Sequence, residues 1–184
     1  MTKKAHHPAR GHNLPYDILY NGKQLHWYGM HLEFPATSGQ NDYKRADQEG
    51  VKDYGPIPEG WYDFSVQEAK PGKNADDYFS HEGVQSFSPS PDWGTQRVRL
   101  HLKRLDEMAI RQKVGDQGLK VAKSRGGFYL HNSHKGYTHG CVEVSDSFFT
   151  KLAEYRRKKH HKAHLTLRVH YRDIHTDTYG ATDK

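Results

Sequence analysis

The residues Phe128–Val142, FYLHNSHKGYTHGCV, determine how the rest of this chain is interpreted. The apolar run Phe128–Leu130 predicts a short strand that ends at His131. A turn through Gly136 then lets the chain come back, so that Cys141 returns beside the end of that strand. The segment contains the one cysteine of the chain and three of its 15 histidines. The segment therefore predicts a strand, a turn and a returning stretch of chain, which brings Cys141 beside His131.

Strand patterns lie on both sides of this segment. Upstream, two apolar runs flank Asn21-Gly22, a dipeptide typical of hairpin turns. No βαβ rhythm and no internal repeat is visible, so the sequence predicts a predominantly β fold with six or seven strands. The expected strands are Tyr16–Tyr20, Leu25–Tyr28, His31–Phe34, Trp61–Val66, Arg97–Leu102, Phe128–Leu130 and Leu165–Val169.

One clear helix pattern follows the cysteine. It begins at Ser145 and has an apolar face with helical spacing. A second, short helix over Leu105–Val114 is expected to end at Gly115, although strand patterns compete there. The polar segments Ala36–Tyr54 and 69–95 are expected to be long connections.

Length and composition indicate one domain with a thin core. Leu, Ile, Val and Phe make up only 32 of the 184 residues, while aromatic residues make up 12%. Tyrosine and other aromatic side chains therefore have to supply much of the buried area. No run approaches the roughly 18 apolar residues of a membrane span, and the polar first 15 residues predict no Sec signal. We expect an N-terminal arm over 1–13, one folded domain over 14–172 and a tail over 173–184.

The spacing of Cys141 and its neighbouring histidines is suited to nucleophilic catalysis. A cysteine attacks as the thiolate, so a base has to lie within hydrogen-bond reach of the sulfur. His131, ten residues upstream, is the better base, because His139 is too close in an extended backbone. The amides of Gly140 and Cys141 are expected to face a developing oxyanion. The alternative is that Cys141 is an inert, small apolar residue.

Four segments together resemble the signature of the L,D-transpeptidase (YkuD-like) family. Thr138-His139-Gly140-Cys141, with Tyr129-Leu130-His131 upstream, resembles its catalytic sequence. The turn 55–62, GPIPEGWY, and Ala36-Thr37-Ser38-Gly39 resemble two further family loops. The short gap between histidine and cysteine is similar to that of the branch delivered by type VI secretion as antibacterial effectors.

The resemblance implies a fold and a set of site residues. The fold is a YkuD-like β-sandwich or barrel-like sheet with one short helix after the nucleophile. Glu143 departs from the family, which usually has Asn or Arg two residues after the cysteine. The implied roles are nucleophile for Cys141, base for His131, backbone orienter for Asn132, oxyanion or motif residues for Thr138, His139 and Gly140, and substrate contact for Ser38 and Gly39.

The resemblance also implies a reaction and a setting. Cys141 attacks the L-centre carbonyl of diaminopimelate in a peptidoglycan stem tetrapeptide and expels D-Ala, without a cofactor. Water, a free D-amino acid or a second stem peptide then resolves the acyl-enzyme, and the sequence leaves these three open. The expected setting is synthesis in the cytoplasm, export by a secretion apparatus and action in the periplasm of a target bacterium. The producing cell is expected to hold an immunity protein.

Two other functions fit parts of the sequence. His131, His134, His139 and Cys141 are four possible zinc ligands within eleven residues. The basic run Arg156–Lys162, Tyr-rich strands and a net charge of +6 fit an anionic partner such as nucleic acid. Zinc sites usually draw their ligands from separated elements, so a bound metal is not expected. No nucleic-acid-binding motif is recognised, so nucleic acid is not the expected partner.

Overall fold

The computed structural model describes residues 13–70 and 82–184. Within these residues the chain forms one mixed sheet of ten strands with two α-helices, so the expectation of a mainly β fold is confirmed. The strands are β1 Ile18–Tyr20, β2 Gln24–Trp27, β3 Leu32–Ser38, β4 Gly60–Ser65, β5 Val84–Ser90, β6 Gly94–Arg99, β7 His101–Leu105, β8 Tyr129–His131, β9 Val142–Val144 and β10 His164–Val169; the helices are α1 Glu107–Ser124 and α2 Asp146–Arg156. The order across the sheet is β5, β6, β8, β9, β3, β2, β1, β10, β4, β7.

The first hairpin forms where the sequence predicts it. β1 pairs antiparallel with β2 around Asn21 and Gly22. The Asn21 side-chain oxygen accepts hydrogen bonds from the amides of Lys23 (3.0 Å) and Gln24 (2.9 Å). Gly22 has a φ of 106°, which glycine adopts without steric cost. Local turn chemistry is therefore sufficient to define this part of the fold.

Aromatic side chains build much of the core. Helix α2 packs them against the sheet, with the Phe148 ring 5.4 Å from Phe34 and 6.0 Å from Trp27. Burial of one such side chain contributes about 1.5–3 kcal/mol, which makes up for the shortage of aliphatic residues. The buried apolar residues of β4, β10 and α2 are Tyr62, Phe64, Leu165, Leu167, Val169, Phe148, Phe149 and Leu152.

Three expectations about the elements were wrong. The sheet has ten strands, where six or seven were expected. The second helix, expected over Leu105–Val114, is longer, since α1 continues through Gly115 to Ser124. Gly115 has a φ of 70°, so this glycine kinks the helix where a stop was expected. Part of the expected connection 69–95 is strand β5. Pro89 is tolerated in β5 because that strand lies at the edge of the sheet.

The structure describes the C-terminal end of the chain but not its first residues. Of the expected arm, residues 1–12 lie outside the described residues. The C-terminal segment runs beside β3, where the Gly180 amide donates to the Thr37 hydroxyl at 2.8 Å. The Thr178 hydroxyl donates to the carbonyl of Ser38 at 2.7 Å.

Neither α1 nor α2 is both long enough and apolar enough to cross a lipid bilayer.

Candidate active site

The register of β8 and β9 places the predicted pair on one face of the sheet. These strands are parallel, with Leu130 opposite Val142 and His131 opposite Glu143. Leu130 and Val142 are both completely buried in the core. Because side chains alternate along a strand, His131, Glu143 and Cys141 all point to the other face. Cys141 and His131 are offset by two residues, which is about 6–7 Å along the strand direction.

Cys141 is partly exposed beside two glycines. Its thiol is 3.9 Å from the carbonyl oxygen of Gly127. A side chain added at Gly126 or Gly127 would meet no atom within 4 Å, so the space beside this part of the chain is open. Burial of the sulfur raises the pKa of Cys141 to about 11, although the Tyr129 amide, which donates to the sulfur, opposes the shift. The thiol is therefore protonated at neutral pH.

His131 is buried and lacks a partner for one ring nitrogen. Its side chain is 3% exposed, and Nδ1 makes no hydrogen bond within residues 13–70 and 82–184. The ring lies 5.4 Å from the Trp93 ring in an edge-to-face arrangement. Burial lowers the pKa of His131 to about 4, and the negative charge of Glu143 opposes part of that shift. At neutral pH the imidazole is therefore uncharged, as a general base has to be.

Buried hydroxyl groups hold the turn that carries Cys141. Thr138 Oγ1 donates to the Cys141 carbonyl at 2.6 Å and accepts from the amides of Gly39 (3.1 Å) and Gly140 (3.2 Å). Ser38 Oγ also donates to the Cys141 carbonyl, at 2.8 Å, and accepts from the Ile57 amide at 2.9 Å. The predicted substrate residues Ser38 and Gly39 thus lie buried behind the nucleophile and support it.

The Gly140 amide, expected to face a developing oxyanion, already has a hydrogen-bond acceptor. That N–H donates to Thr138 Oγ1, so in this structure it does not face the open side of the thiol. Gly140 has a φ of 111°, and any side chain here would collide with the Arg125 guanidinium. Arg125 itself is buried and donates to the carbonyls of Glu49 (2.6 Å), Gly55 (2.7 Å) and Pro56 (2.7 Å). Arg125 therefore fixes the loop around 49–56 directly behind the Gly140 turn.

Asn132 holds a neighbouring strand. Its side-chain oxygen accepts from the amides of Thr95 and Gln96, both at 2.9 Å, and its amide group donates to Asp146 at 2.6 Å. Among the described residues no hydrogen bond joins the His131 ring to the Asn132 carbonyl, so the expected orienting contact is not formed. Asn132 instead ties the end of β8 to the start of β6.

The other two histidines of the segment lie apart from this pair. His139 is exposed and its ring is 3.0 Å from the carbonyl of Asp53. His134 pairs with Asp146 at 3.0 Å. In the part of the chain that the structure describes, no three His, Cys, Asp or Glu side chains come together as a possible metal site. The four possible zinc ligands are therefore not gathered around one point.

Three buried charged residues lie near the pair; sequence reasoning missed Arg97 and Arg125 and left the role of Glu143 open. Arg97 is 1% exposed and stands opposite His131 on β6, with its guanidinium 4.3 Å from the centre of the Trp93 ring. Arg125 and Glu143 are the other buried charges close to the site. A signal existed for Glu143, since an acid between two valines in a short apolar strand is unusual. Arg125 carried no local signal, because its partners are some 70 residues away in sequence.

Comparison with known proteins adds no family assignment. No family model matches the chain, and no curated protein sequence matches it significantly. The resemblance to L,D-transpeptidases therefore depends on the four sequence segments that carry it and on their spacing.

Proposed function

We propose that this protein is a cysteine acyltransferase that acts on peptidoglycan stem tetrapeptides and releases D-Ala through an acyl-enzyme. The observation that supports this most is the shared face of β8 and β9. It presents a partly exposed cysteine and, two residues along, a buried imidazole whose Nδ1 is unpartnered within the described residues. A buried polar atom without a partner is unusual and is a feature of reactive sites.

The resting pair is uncharged, so the first step is a proton transfer. Rotation about the Cα–Cβ bond of Cys141 turns the sulfur from the Gly127 carbonyl toward His131. Catalytic hydrogen bonds are often unformed before substrate binds, which agrees with the absence of one here within residues 13–70 and 82–184. His131 Nδ1 then accepts the thiol proton as sulfur attacks the carbonyl carbon.

The remaining bond changes follow from acyl-transfer chemistry. The new Sγ–C bond converts the carbonyl to a tetrahedral oxyanion, and the amide C–N bond then breaks. The leaving amine of D-Ala takes the proton from the His131 imidazolium, which leaves a thioester on Cys141 and a neutral base. Attack by water gives carboxypeptidase activity, whereas attack by a D-amino acid or a second stem amine gives exchange or a cross-link.

The biological setting is part of the same proposal. An antibacterial effector of this class acts on the cell wall in the target periplasm and is neutralised by an immunity protein in the producing cell. The net charge of +6 supports attraction to an anionic wall. Expression directed to the periplasm of a test bacterium should cause lysis or growth arrest that Cys141→Ala abolishes. Equal toxicity from wild type and Cys141→Ala would contradict this setting.

Product analysis tests the chemistry. Purified tetrapeptide muropeptides are incubated with the protein, with and without an added D-amino acid, and the products are identified by mass spectrometry. Wild type should release D-Ala, Cys141→Ala should release none, and His131→Asn should be slower by about 100-fold or more. The exposed histidine His160, changed to Asn, is the matched control and should behave as wild type. D-Ala release by Cys141→Ala at the wild-type rate would contradict the proposal.

A further inference from the structure

Glu143 is a fully buried acid beside the proposed base. It stands opposite His131 on the adjacent parallel strand and points to the same face of the sheet. Its carboxylate accepts hydrogen bonds from the amides of Lys135 and Gly136, both at 2.8 Å, and from the hydroxyls of Ser133 and Thr182. All four donors are neutral groups, so they hold the carboxylate in place without cancelling its charge.

No salt bridge to Glu143 is present in the described residues. The Lys135 ammonium, which is close in sequence, instead pairs with Asp92 at 3.1 Å. A buried charge without a cationic partner is costly, and a protein usually avoids one unless the charge has a use. The nearest group that gains a positive charge during the proposed reaction is His131.

We propose that Glu143 is a positioning residue that stabilises the imidazolium of His131 and fixes the loop 133–136, which follows His131. This inference rests on the proposed function, since it assigns Glu143 a role in the same proton transfer. When His131 takes the thiol proton, the new positive charge forms beside a carboxylate that is already in place. Such a preorganised charge costs no rearrangement at the moment of reaction.

The other charges around His131 limit how far this effect goes. The positive charges of Arg97 on β6 and Lys135 disfavour the imidazolium, whereas Asp92 before β6 favours it. The Asp92 side chain is 78% exposed, so water screens its charge. Glu143 is completely buried and is screened much less. Buried Arg97 and buried Glu143 thus act in opposite directions on one imidazole, which stays neutral at rest.

Titration of His131 in Glu143→Gln is the decisive experiment. This substitution keeps the shape of the side chain and removes its charge. NMR of the labelled imidazole should show that the pKa of His131 falls by about one unit or more relative to wild type. Loss of structure around the ring would have the opposite effect, since exposure to water returns a histidine pKa toward its ordinary value. A His131 pKa that is unchanged or higher in Glu143→Gln overturns the inference.

Two further variants and one activity measurement complete the test. Glu143→Asp keeps the charge and should give a smaller fall in the His131 pKa, which preserves the test if Glu143→Gln fails to fold. Thr182→Val removes one hydrogen bond to Glu143 and should leave that pKa within a few tenths of a unit. In stem-peptide assays Glu143→Gln should lower kcat about tenfold with little change in KM. If wild type releases no D-Ala while the His131 pKa still falls in Glu143→Gln, the proposed function fails and the charge coupling stands.

Discussion

Two buried polar regions of the molecule meet at Arg125, and they are built in opposite ways. Beneath α1, Lys113 lies 2.7 Å from a carboxylate oxygen of Glu49 and also contacts Glu59. On the β8–β9 face, by contrast, Cys141 and His131 are both uncharged at neutral pH. We refer to the first region, Glu49, Glu59 and Lys113, as the ionic cluster and to the second as the Cys141–His131 face.

The difference separates a role in folding from a role in chemistry. In the ionic cluster the Lys113 ammonium contacts the carboxyl groups of both Glu49 and Glu59, and Glu59 also accepts from the Tyr171 amide at 2.7 Å. On the Cys141–His131 face a buried nitrogen has no partner among the described residues, and the space beside Gly126 and Gly127 is open. Paired buried charges connect elements, whereas a neutral unpaired group remains free to take or give a proton.

The largest expected effect is on the ionic cluster. Lys113→Met leaves two buried carboxylates without their cation and should lower the free energy of unfolding by about 3–5 kcal/mol. Urea denaturation measures the loss. Lys123→Met is the matched control, because Lys123 pairs with Glu107 at the surface, where an ion pair contributes at most about 1 kcal/mol. Equal losses in the two variants would show that the ionic cluster does not stabilise the fold.

The two regions should respond to pH with opposite sign. The pKa of His131 is about 4 in the folded chain and 6.5 in the unfolded chain, so stability is lost as pH falls through that range. Burial raises the pKa of Glu49 from 4.5 to about 7, so stability is lost as pH rises through that range. Between pH 4.5 and 6.5 each effect amounts to about 2 kcal/mol, and in wild type they largely cancel.

Two variants separate these effects. His131→Asn should become more stable as pH falls from 6.5 to 4.5, whereas Glu49→Gln should become less stable over the same range. Urea unfolding at several pH values gives both slopes. Slopes of the same sign in the two variants would contradict the assignment of a neutral His131 and a partly protonated Glu49.

Alkylation tests whether the pair is neutral at rest. With a thiol pKa of about 11, the rate of Cys141 alkylation by iodoacetamide should rise about tenfold per pH unit from 7 to 10. Relative to a thiol of pKa 9, the rate at pH 8 should be lower by about 100-fold. Cys141 is the only cysteine, so Cys141→Ala gives the background. A rate that is already constant near neutral pH would show a thiolate–imidazolium pair instead.

Arg125→Lys has the smallest expected effect and tests the link between the regions. A lysine ammonium cannot reproduce the planar fork that Arg125 presents to three carbonyls. We expect a loss of about 1–2 kcal/mol in unfolding free energy, together with slower acyl transfer, because the Gly140 turn loses its support. Thermal unfolding and D-Ala release measure the two effects. Reduced stability with an unchanged rate per folded molecule would show that the regions are independent.

The parts of this structure that depend on neighbouring residues were predictable from sequence. The Asn21-Gly22 turn specifies its hairpin through its own side chain and backbone. The return from His131 to Cys141 followed from a strand that ends at His131 and a turn through Gly136, although β9 itself was not expected as a strand. These features need only local interactions, which short sequence patterns record.

The parts that depend on distant residues were not predictable. Pro89 suggested a loop, and only its place at the sheet edge makes it compatible with β5. Gly115 suggested a helix end, but α1 resumes after a kink. Arg125 belongs to a residue type that is usually exposed, so its burial could not be assigned without knowing which distant carbonyls it meets.

The most direct test of the central claim is to isolate the acyl-enzyme. Protein is mixed with purified tetrapeptide muropeptide, quenched in acid, digested and mapped by mass spectrometry. We predict that the peptide containing Cys141 gains the mass of the substrate minus D-Ala, and that Cys141→Ala shows no adduct. Release of D-Ala without any adduct on Cys141, under conditions that preserve thioesters, would contradict the account.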